Sequence, residues 1–349
     1  MLNPRQVTIP ALVRLKKDAL DRIGLYARRH QFSRVILIFS GDLQPALLDR
    51  VTAALATERI EVLQRLPVAT ASFEQAEEFF RRLPNNAQAV IGVGGGKALD
   101  VAKYVAFLAS LPYLAVPTSL SNDGFCSPQS SLTIEGRRRS LPAAIPFGIV
   151  VDTEVCLLAP EILWLSGVGD LAAKLTAVAD WKLAFHAQAA PVDDFAALLS
   201  DATVFQFIAR PVRDAEGVKL LGTALMLNGI AMALCGSSRP ASGSEHLISH
   251  ALDSFSVRPR LHGLQVGVAT YLVSRLQAQS SELIAGLFDA TGFWKAIAAD
   301  PFSKTEWLEA ARRAPGVKPG FYTILAARDC LPEIARLLDA DSRLKGCFA

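Results

Sequence analysis

Ala87-Gln-Ala-Val-Ile-Gly-Val-Gly-Gly-Gly-Lys-Ala-Leu-Asp100 is the stretch that decides the architecture. Ala87 to Ile91 reads as a short apolar strand covered on both faces, and Val101 to Leu108 as a helix. The glycines between them let the backbone approach a ligand closely, and helix N-terminal N–H groups suit a pyrophosphate. This run is neither a Walker A loop nor a clean GxGxxG, and a tight strand-to-helix turn would use the same glycines. Its place after a buried strand points to a nucleotide phosphate site within Gly92 to Asp100.

The same alternation extends in both directions. Val35 to Phe39 is an apolar strand, Ser40-Gly41-Asp42 a turn, and Pro45 to Leu55 a helix with proline in its first turn. A short strand, Glu61 to Leu63, precedes a helix over Phe73 to Leu83, opened by a capping box of Ser72 and Gln75. Tyr113 to Val116 and Gly148 to Asp152 complete the strands, and residues 13 to 30 carry helical spacing. Strands alternating with helices mean a doubly wound parallel sheet, a Rossmann-like α/β domain. From Pro160 onward the pattern is helical, so residues 1–158 are expected to form an α/β domain that carries the dinucleotide site and 159–349 an all-α domain.

Composition narrows the function classes. The chain has 349 residues, 51% hydrophobic and 20% charged, which supplies a large core and argues against disorder. A net charge of +3 gives no case for nucleic acid or a membrane surface as partner, and Arg137-Arg138-Arg139 reads as a solvated loop. Five cysteines without CxxC spacing fit reduced thiols in a cytoplasmic protein, and the N-terminus lacks a signal-peptide layout. The apolar region Leu220 to Cys235 reads as a buried helix too interrupted for a membrane span.

Three of the five histidines cluster in one region. His246 and His250 are spaced i, i+4, on one face of a helix. Arg258-Pro259 should end that helix and let His262 return toward it. Converging neutral imidazoles hold divalent transition metals, although two histidines at this spacing also suit an ordinary polar face. Asp170 reads as lying in the first turn of a helix, where a carboxylate is usually a cap; facing His246 and His262 it would complete a three-ligand set with an open position. Pro117 to Gly124, at the carboxyl end of a strand, places Thr118, Ser121 and Asp123 where such sheets bind ligands, or forms a plain Asx-turn. Asp42 stands where a carboxylate can take a ribose 2′-hydroxyl, or cap the helix after it.

Four blocks resemble the superfamily of iron-containing alcohol dehydrogenases, glycerol dehydrogenase and dehydroquinate synthase: Gly92-Val-Gly-Gly-Gly-Lys-x-x-Asp100-x-Ala-Lys103, Pro117-Thr-x-x-Ser-x-Asp-Gly124, Gly167-x-Gly-Asp-Leu-x-Ala-Lys174, and Gly243-Ser-Glu-His-x-x-x-His250 with His262-Gly263. The likeness spans residues 35 to 267, and the third and fourth blocks most resemble glycerol-1-phosphate dehydrogenases. It implies a dehydroquinate synthase-like fold, NAD or NADP, and a divalent ion, zinc first with nickel or iron as options, on Asp170, His246 and His262. It further implies that Asp123 and His250 contact the substrate, and that the Gly94 to Asp100 loop, Thr118, Ser121 and Ser127 line the dinucleotide. A homo-oligomer follows from family likeness alone. One departure stands out: relatives usually read His-Gly-Glu, whereas this chain has His262-Gly263-Leu264, losing a carboxylate beside the last ligand.

The expected reaction is interconversion of dihydroxyacetone phosphate, a small phosphorylated ketone, with sn-glycerol 1-phosphate by hydride transfer. A dehydrogenase for another small polyol or hydroxy-phosphonate is the alternative within the class. A dehydroquinate synthase-like cyclase is the alternative outside it, disfavoured because such chains carry Glu at the position of Asp170.

Overall fold

The computed structural model describes residues 7–349. Its packing groups the chain into two compact units, one ending at Ala159 and the other beginning at Pro160.

In the first unit the order is β1 (Leu12–Lys16), α1 (Ile23–Arg29), β2 (Arg34–Ser40), α2 (Pro45–Thr57), β3 (Glu61–Val68), α3 (Phe73–Arg81), β4 (Ala89–Gly94), α4 (Gly96–Leu108), β5 (Tyr113–Pro117), β6 (Gln129–Ile134), β7 (Arg137–Pro142), β8 (Gly148–Asp152) and α5 (Thr153–Leu158). Six strands make one sheet in the order β1-β8-β5-β4-β2-β3, with every neighbouring pair parallel. The side-chain alternation of β2 shows why its run is apolar throughout. Val35 and Leu37 pack with Leu20, Ile23 and Leu55 on one face, and Ile36 and Ile38 with Val101, Val105 and Phe79 on the other. The crossover from β2 leads outward to β3, and the chain then passes back to β4 on the opposite side of β2. The carboxyl ends of β2 and β4 are therefore a topological switch point, where open α/β sheets form a crevice.

Several local expectations change. Residues 13 to 30 are not one helix: Leu12–Lys16 is an edge strand in parallel register with β8 (Leu12 with Gly148), and α1 begins only at Ile23. A tertiary partner outweighed the short-range spacing. Helix α4 starts at Gly96, well before Val101, so Lys97 and Asp100 are helical. Strand β3 runs on through Pro67 to Val68, which an edge strand tolerates. Arg137-Arg138-Arg139 is not a loop but part of β7, paired antiparallel with β6 in an exposed hairpin. The capping box is half made: Ser72 Oγ accepts from the Gln75 N–H at 3.2 Å, but the Gln75 carboxamide turns to the N–H groups of Ala69 and Thr70.

The second unit contains α6 (Glu161–Gln188), α7 (Asp194–Ile208), α8 (Ala215–Cys235), α9 (Ser244–Phe255) and α10 (His262–Leu276), with further helices between Ser281 and Lys345. Helix α6 is mostly apolar and is buried from Trp164 to Val178, as a core helix should be, with Asp170, Lys174 and Asp180 as buried charged exceptions. It begins at Glu161, so Asp170 lies in its interior and the helix-end argument for that carboxylate is withdrawn. By length and composition α6 and α8 could each cross a membrane, which corrects the shorter reading of 220–235; their most apolar windows are 83% and 56% buried within the protein. Helices α6 and α10 meet along a glycine seam. A Cβ on Gly169 would stand 2.0 Å from Gly263 O, one on Gly263 1.8 Å from Ser166 O, and one on Gly267 3.0 Å from the Gly169 Cα. That approach sets Asp170 beside the start of α10, where His262 is the first helical residue.

Candidate metal centre and nucleotide loop

Helix α9 ends at Phe255, and the Arg258-Pro259 segment returns the chain so that α10 packs beside it. Three donors then converge. His246 Nε2 lies 3.4 Å and His262 Nε2 4.0 Å from Asp170 Oδ1, and one ligand atom from each of the three falls within 4.8 Å of the others. Metal–nitrogen bonds of about 2.0–2.1 Å at tetrahedral angles put ligand atoms about 3.3 Å apart, so small side-chain adjustments would close these donors around an ion. The donor chemistry, two imidazoles and one carboxylate, is that of a divalent transition-metal site.

The surroundings prepare each donor. Asp170 is 1% exposed and His246 6%. Burial disfavours the Asp170 carboxylate, but the Lys174 ammonium, 3.4 Å from Oδ2, and His246 outweigh it and hold its pKa well below the usual range. Lys174 also reaches the Ala241 carbonyl at 3.4 Å. His246 Nδ1 meets Glu245 Oε1 at 2.9 Å. Burial opposes a charged ring there, yet hydrogen bonds to Asp170 and Glu245 prevail and push the His246 pKa up to about 9. The pocket thus favours positive charge between two carboxylates, which a divalent ion provides.

His250 is one turn beyond His246, its ring centroid 6.3 Å from that of His246 and 5.6 Å from that of His262. His250, Asp253 and His262 also bring one ligand atom each within 4.8 Å. The first trio is the better ion site, because it is more buried and because Asp253 Oδ1 already accepts from Gln265 Nε2 at 3.0 Å.

In the first unit the glycine loop lies at the switch point. Gly94 has φ +138°, and a Cβ there would stand 2.1 Å from Ser40 Oγ, which itself accepts from the Gly95 N–H at 3.2 Å. The fold therefore requires glycine at 94. It does not require it at 95, where an added Cβ meets nothing within 4 Å, or at 96, where the nearest atom is Asn122 Nδ2 at 4.0 Å. Two glycines facing open space at the start of α4 leave a bare backbone cradle suited to a pyrophosphate. Lys97 is exposed on the first turn of α4, and Thr118 follows β5, its N–H bonded to Gly94 O at 3.0 Å. Asp42 is exposed just past β2; the N-cap of α2 is Gln44, whose side chain makes no capping bond.

Asp100 and Ser127 are turned inward. Lys103, 1% exposed, holds its ammonium 3.4 Å from Asp100 Oδ1, 2.6 Å from Gly124 O and 3.2 Å from Ser127 O. The Ser127 hydroxyl donates to Gln129 O at 2.9 Å. Asp123 opens a short 3-10 turn, Asp123–Phe125, and Ser121 precedes it, both half-buried. Lys103 thus anchors the 123–127 loop onto α4.

Sequence reasoning did not single out Glu245, Lys103, Lys174, Ser249 or Gln265. Three of them had a visible signal, since Lys103, Lys174 and Glu245 lie inside the quoted blocks. Ser249 and Gln265 are ordinary polar residues at helix positions, and only packing shows that Ser249 Oγ lies 3.1 Å from His262 Nδ1.

Residues 14–160 match the family described as iron-containing alcohol dehydrogenase. Over nearly its whole length the chain is similar to the glycerol-1-phosphate dehydrogenase (NAD(P)+) of Aeropyrum pernix, 34% identical over 95% of this chain and 96% of that protein. The enzyme of the same name from Thermococcus sibiricus is 31% identical over 94% and 95%. Among solved structures, the glycerol dehydrogenase of Schizosaccharomyces pombe superposes with a TM-score of 0.79 at 19% identity, covering 98% of this chain and 91% of that one. The sulfoacetaldehyde reductase of Bifidobacterium kashiwanohense, solved with NAD+, gives 0.72 at 16% identity, covering 97% and 100%; likeness at that level speaks for the fold alone. The chain belongs to the iron-containing alcohol dehydrogenases and, within them, to the glycerol-1-phosphate dehydrogenase family.

Proposed function

We propose that this protein is a metal-dependent, NAD(P)-linked oxidoreductase that interconverts sn-glycerol 1-phosphate and dihydroxyacetone phosphate. The observation that carries the reading is likeness to glycerol-1-phosphate dehydrogenase across 95% of the chain. The buried Asp170, His246, His262 set supports it with the right donor chemistry. These three would hold the ion, zinc first, with nickel or iron also suited to such ligands. When bound, the ion supplies Lewis-acid polarisation of the reacting oxygen. A bound NAD(P) would supply the hydride-transfer chemistry.

The chain's own residues do the rest. Lys174 and Glu245 hold Asp170 and His246 in place. His250 takes the hydroxyl proton as the alcohol is oxidised and returns it in reduction. Asp123 accepts a hydrogen bond from a substrate hydroxyl. Gly94 to Gly96 with Lys97 bear the pyrophosphate, and Thr118 and Ser121 line the nucleotide. Asp100 and Ser127 serve that loop from beneath through Lys103. Asp42 takes the ribose 2′-hydroxyl, which favours NAD over NADP.

The test follows NADH and NADPH oxidation with dihydroxyacetone phosphate and with dihydroxyacetone, each with and without a chelator. Chelator-sensitive oxidation driven by the phosphate ester is the expected result. Faster oxidation with the unphosphorylated ketone would overturn the substrate, a reading that Leu264 keeps in play. No net NADH oxidation by metal-loaded protein with either ketone would overturn the reaction.

A further inference from the structure

We propose that Ser249 and Gln265 act together as positioning residues that fix the ring of His262 for metal binding. The proposal rests on the assignment of His262 as a ligand.

The hydrogen bonds fix the orientation of the Gln265 carboxamide. The Arg260 N–H donates to Gln265 Oε1 at 2.9 Å. That orients the carboxamide so that Nε2 donates to Ser249 Oγ and to Asp253 Oδ1, each at 3.0 Å. A flipped amide would set its oxygen against the Asp253 carboxylate and its NH2 against the Arg260 N–H. Ser249 Oγ is thereby an acceptor toward Gln265, and its other contact is His262 Nδ1 at 3.1 Å. Ser249 is 0% and Gln265 1% exposed, so neither bond is open to replacement by bulk water.

The direction of these bonds matters for the ligand. His262 turns Nε2 toward Asp170 and Nδ1 toward Ser249. For Nε2 to offer its lone pair to an ion, the ring proton must sit on Nδ1. A serine hydroxyl has two acceptor lone pairs and one donor hydrogen. One lone pair of Ser249 receives the Gln265 N–H, and with an ion on Nε2 the other receives Nδ1–H. Gln265 thus pins Ser249, and Ser249 in turn holds the His262 ring plane and, in the metal-bound form, accepts its Nδ1–H. Leu264, two residues beyond His262, has a buried apolar side chain that can offer the ring no hydrogen bond. The same carboxamide binds Asp253, which ties His262 to the end of α9 that carries His250.

The experiment uses full-length protein stripped of metal and compares wild type, Ser249→Ala, Ser249→Thr, Gln265→Met and His262→Ala. Zinc affinity is read by competition with a chromophoric chelator, ligand geometry by the visible spectrum of the cobalt(II)-loaded protein, and fold integrity by the metal-free thermal midpoint. Loss of such supporting bonds typically weakens metal binding by about 10–100-fold. That loss, with an altered cobalt spectrum, is expected for Ser249→Ala and Gln265→Met. Ser249→Thr, which keeps the hydroxyl, should restore affinity and spectrum. Wild-type zinc affinity and cobalt spectrum in Ser249→Ala, with binding lost in His262→Ala, would overturn the relay alone. Weaker binding matched by an equal fall in metal-free stability, with an unchanged spectrum, would reduce both residues to packing and overturn it as well. Wild-type affinity in His262→Ala would overturn the ligand set, and the relay with it.

Discussion

Glu245 Oε1 lies 2.9 Å from His246 Nδ1, so the nitrogen on the far side of that ring is the one turned to Asp170. Glu245 is itself fully buried and braced, its second oxygen accepting from Thr176 Oγ1 at 2.9 Å. A carboxylate behind a ligating imidazole fixes its tautomer and raises its basicity. Glu245→Gln keeps the shape and removes the charge. We expect zinc affinity to fall about 10–100-fold, measured by chelator competition; unchanged affinity would show that Glu245 only packs.

His250 should separate chemistry from metal binding. His250→Ala is expected to retain the metal while kcat falls by about 10²–10⁴-fold, the usual contribution of a positioned acid–base group. Metal analysis beside steady-state kinetics decides the point. Loss of the ion in this variant would mean that the trio of His250, Asp253 and His262 is the one that matters.

The glycine loop allows a paired test. Gly94→Ala should destabilise the fold, because its Cβ would strike Ser40 Oγ and its φ of +138° is strained for any side chain; the backbone strain alone is on the order of 1–3 kcal/mol. Gly95→Ala, at φ −81° and facing open space, should leave the thermal midpoint unchanged and weaken dinucleotide binding. Calorimetry and a fluorescence titration with NADH give the two readouts. Unaltered NADH binding in Gly95→Ala would place the pyrophosphate elsewhere.

Asp180 contributes a pH dependence of uncommon sign. It is buried, and first burial, then the neighbouring Glu245 charge, push its pKa up to about 6, against the opposing N–H bonds from Ser244 at 2.7 Å and Ile324 at 2.9 Å. Between the ordinary carboxyl value of about 3.9 and about 6, the unfolded chain has lost the proton that the folded chain keeps. Stability contributed by this group therefore falls as pH rises through that window, by on the order of 3 kcal/mol, and is level above it. Urea midpoints from pH 4 to 7 should show the slope in wild type and lose it in Asp180→Asn. The same slope in both would assign it to other groups.

Much of the fold is legible in the sequence. Val35 to Phe39, Ala87 to Gly96 and Tyr113 to Pro117 are strongly apolar runs punctuated by glycine or proline, and such runs specify buried parallel strands from local chemistry alone. The i, i+4 spacing of His246 and His250 put them on one helix face for the same reason, since helical geometry is local. Leu12 to Lys16 was misread because an edge strand owes its existence to a partner, β8, more than a hundred residues away. Asp170 was placed at a helix end, whereas α6 runs through it, because helix length is set by burial of the whole cylinder and not by the nearest cap.

What the sequence by itself determined is the alternation of elements, the shared helix face of His246 and His250 and the glycine run after β4, because each depends on residue type and short spacing. Tertiary structure alone decided that α6 and α10 approach along Gly169, Gly263 and Gly267 and so bring Asp170 to His262. It also decided that Glu245, Ser249 and Gln265 stand behind the rings of His246 and His262. Those contacts join residues on different helices, and their register follows from side-chain packing, which no local pattern encodes.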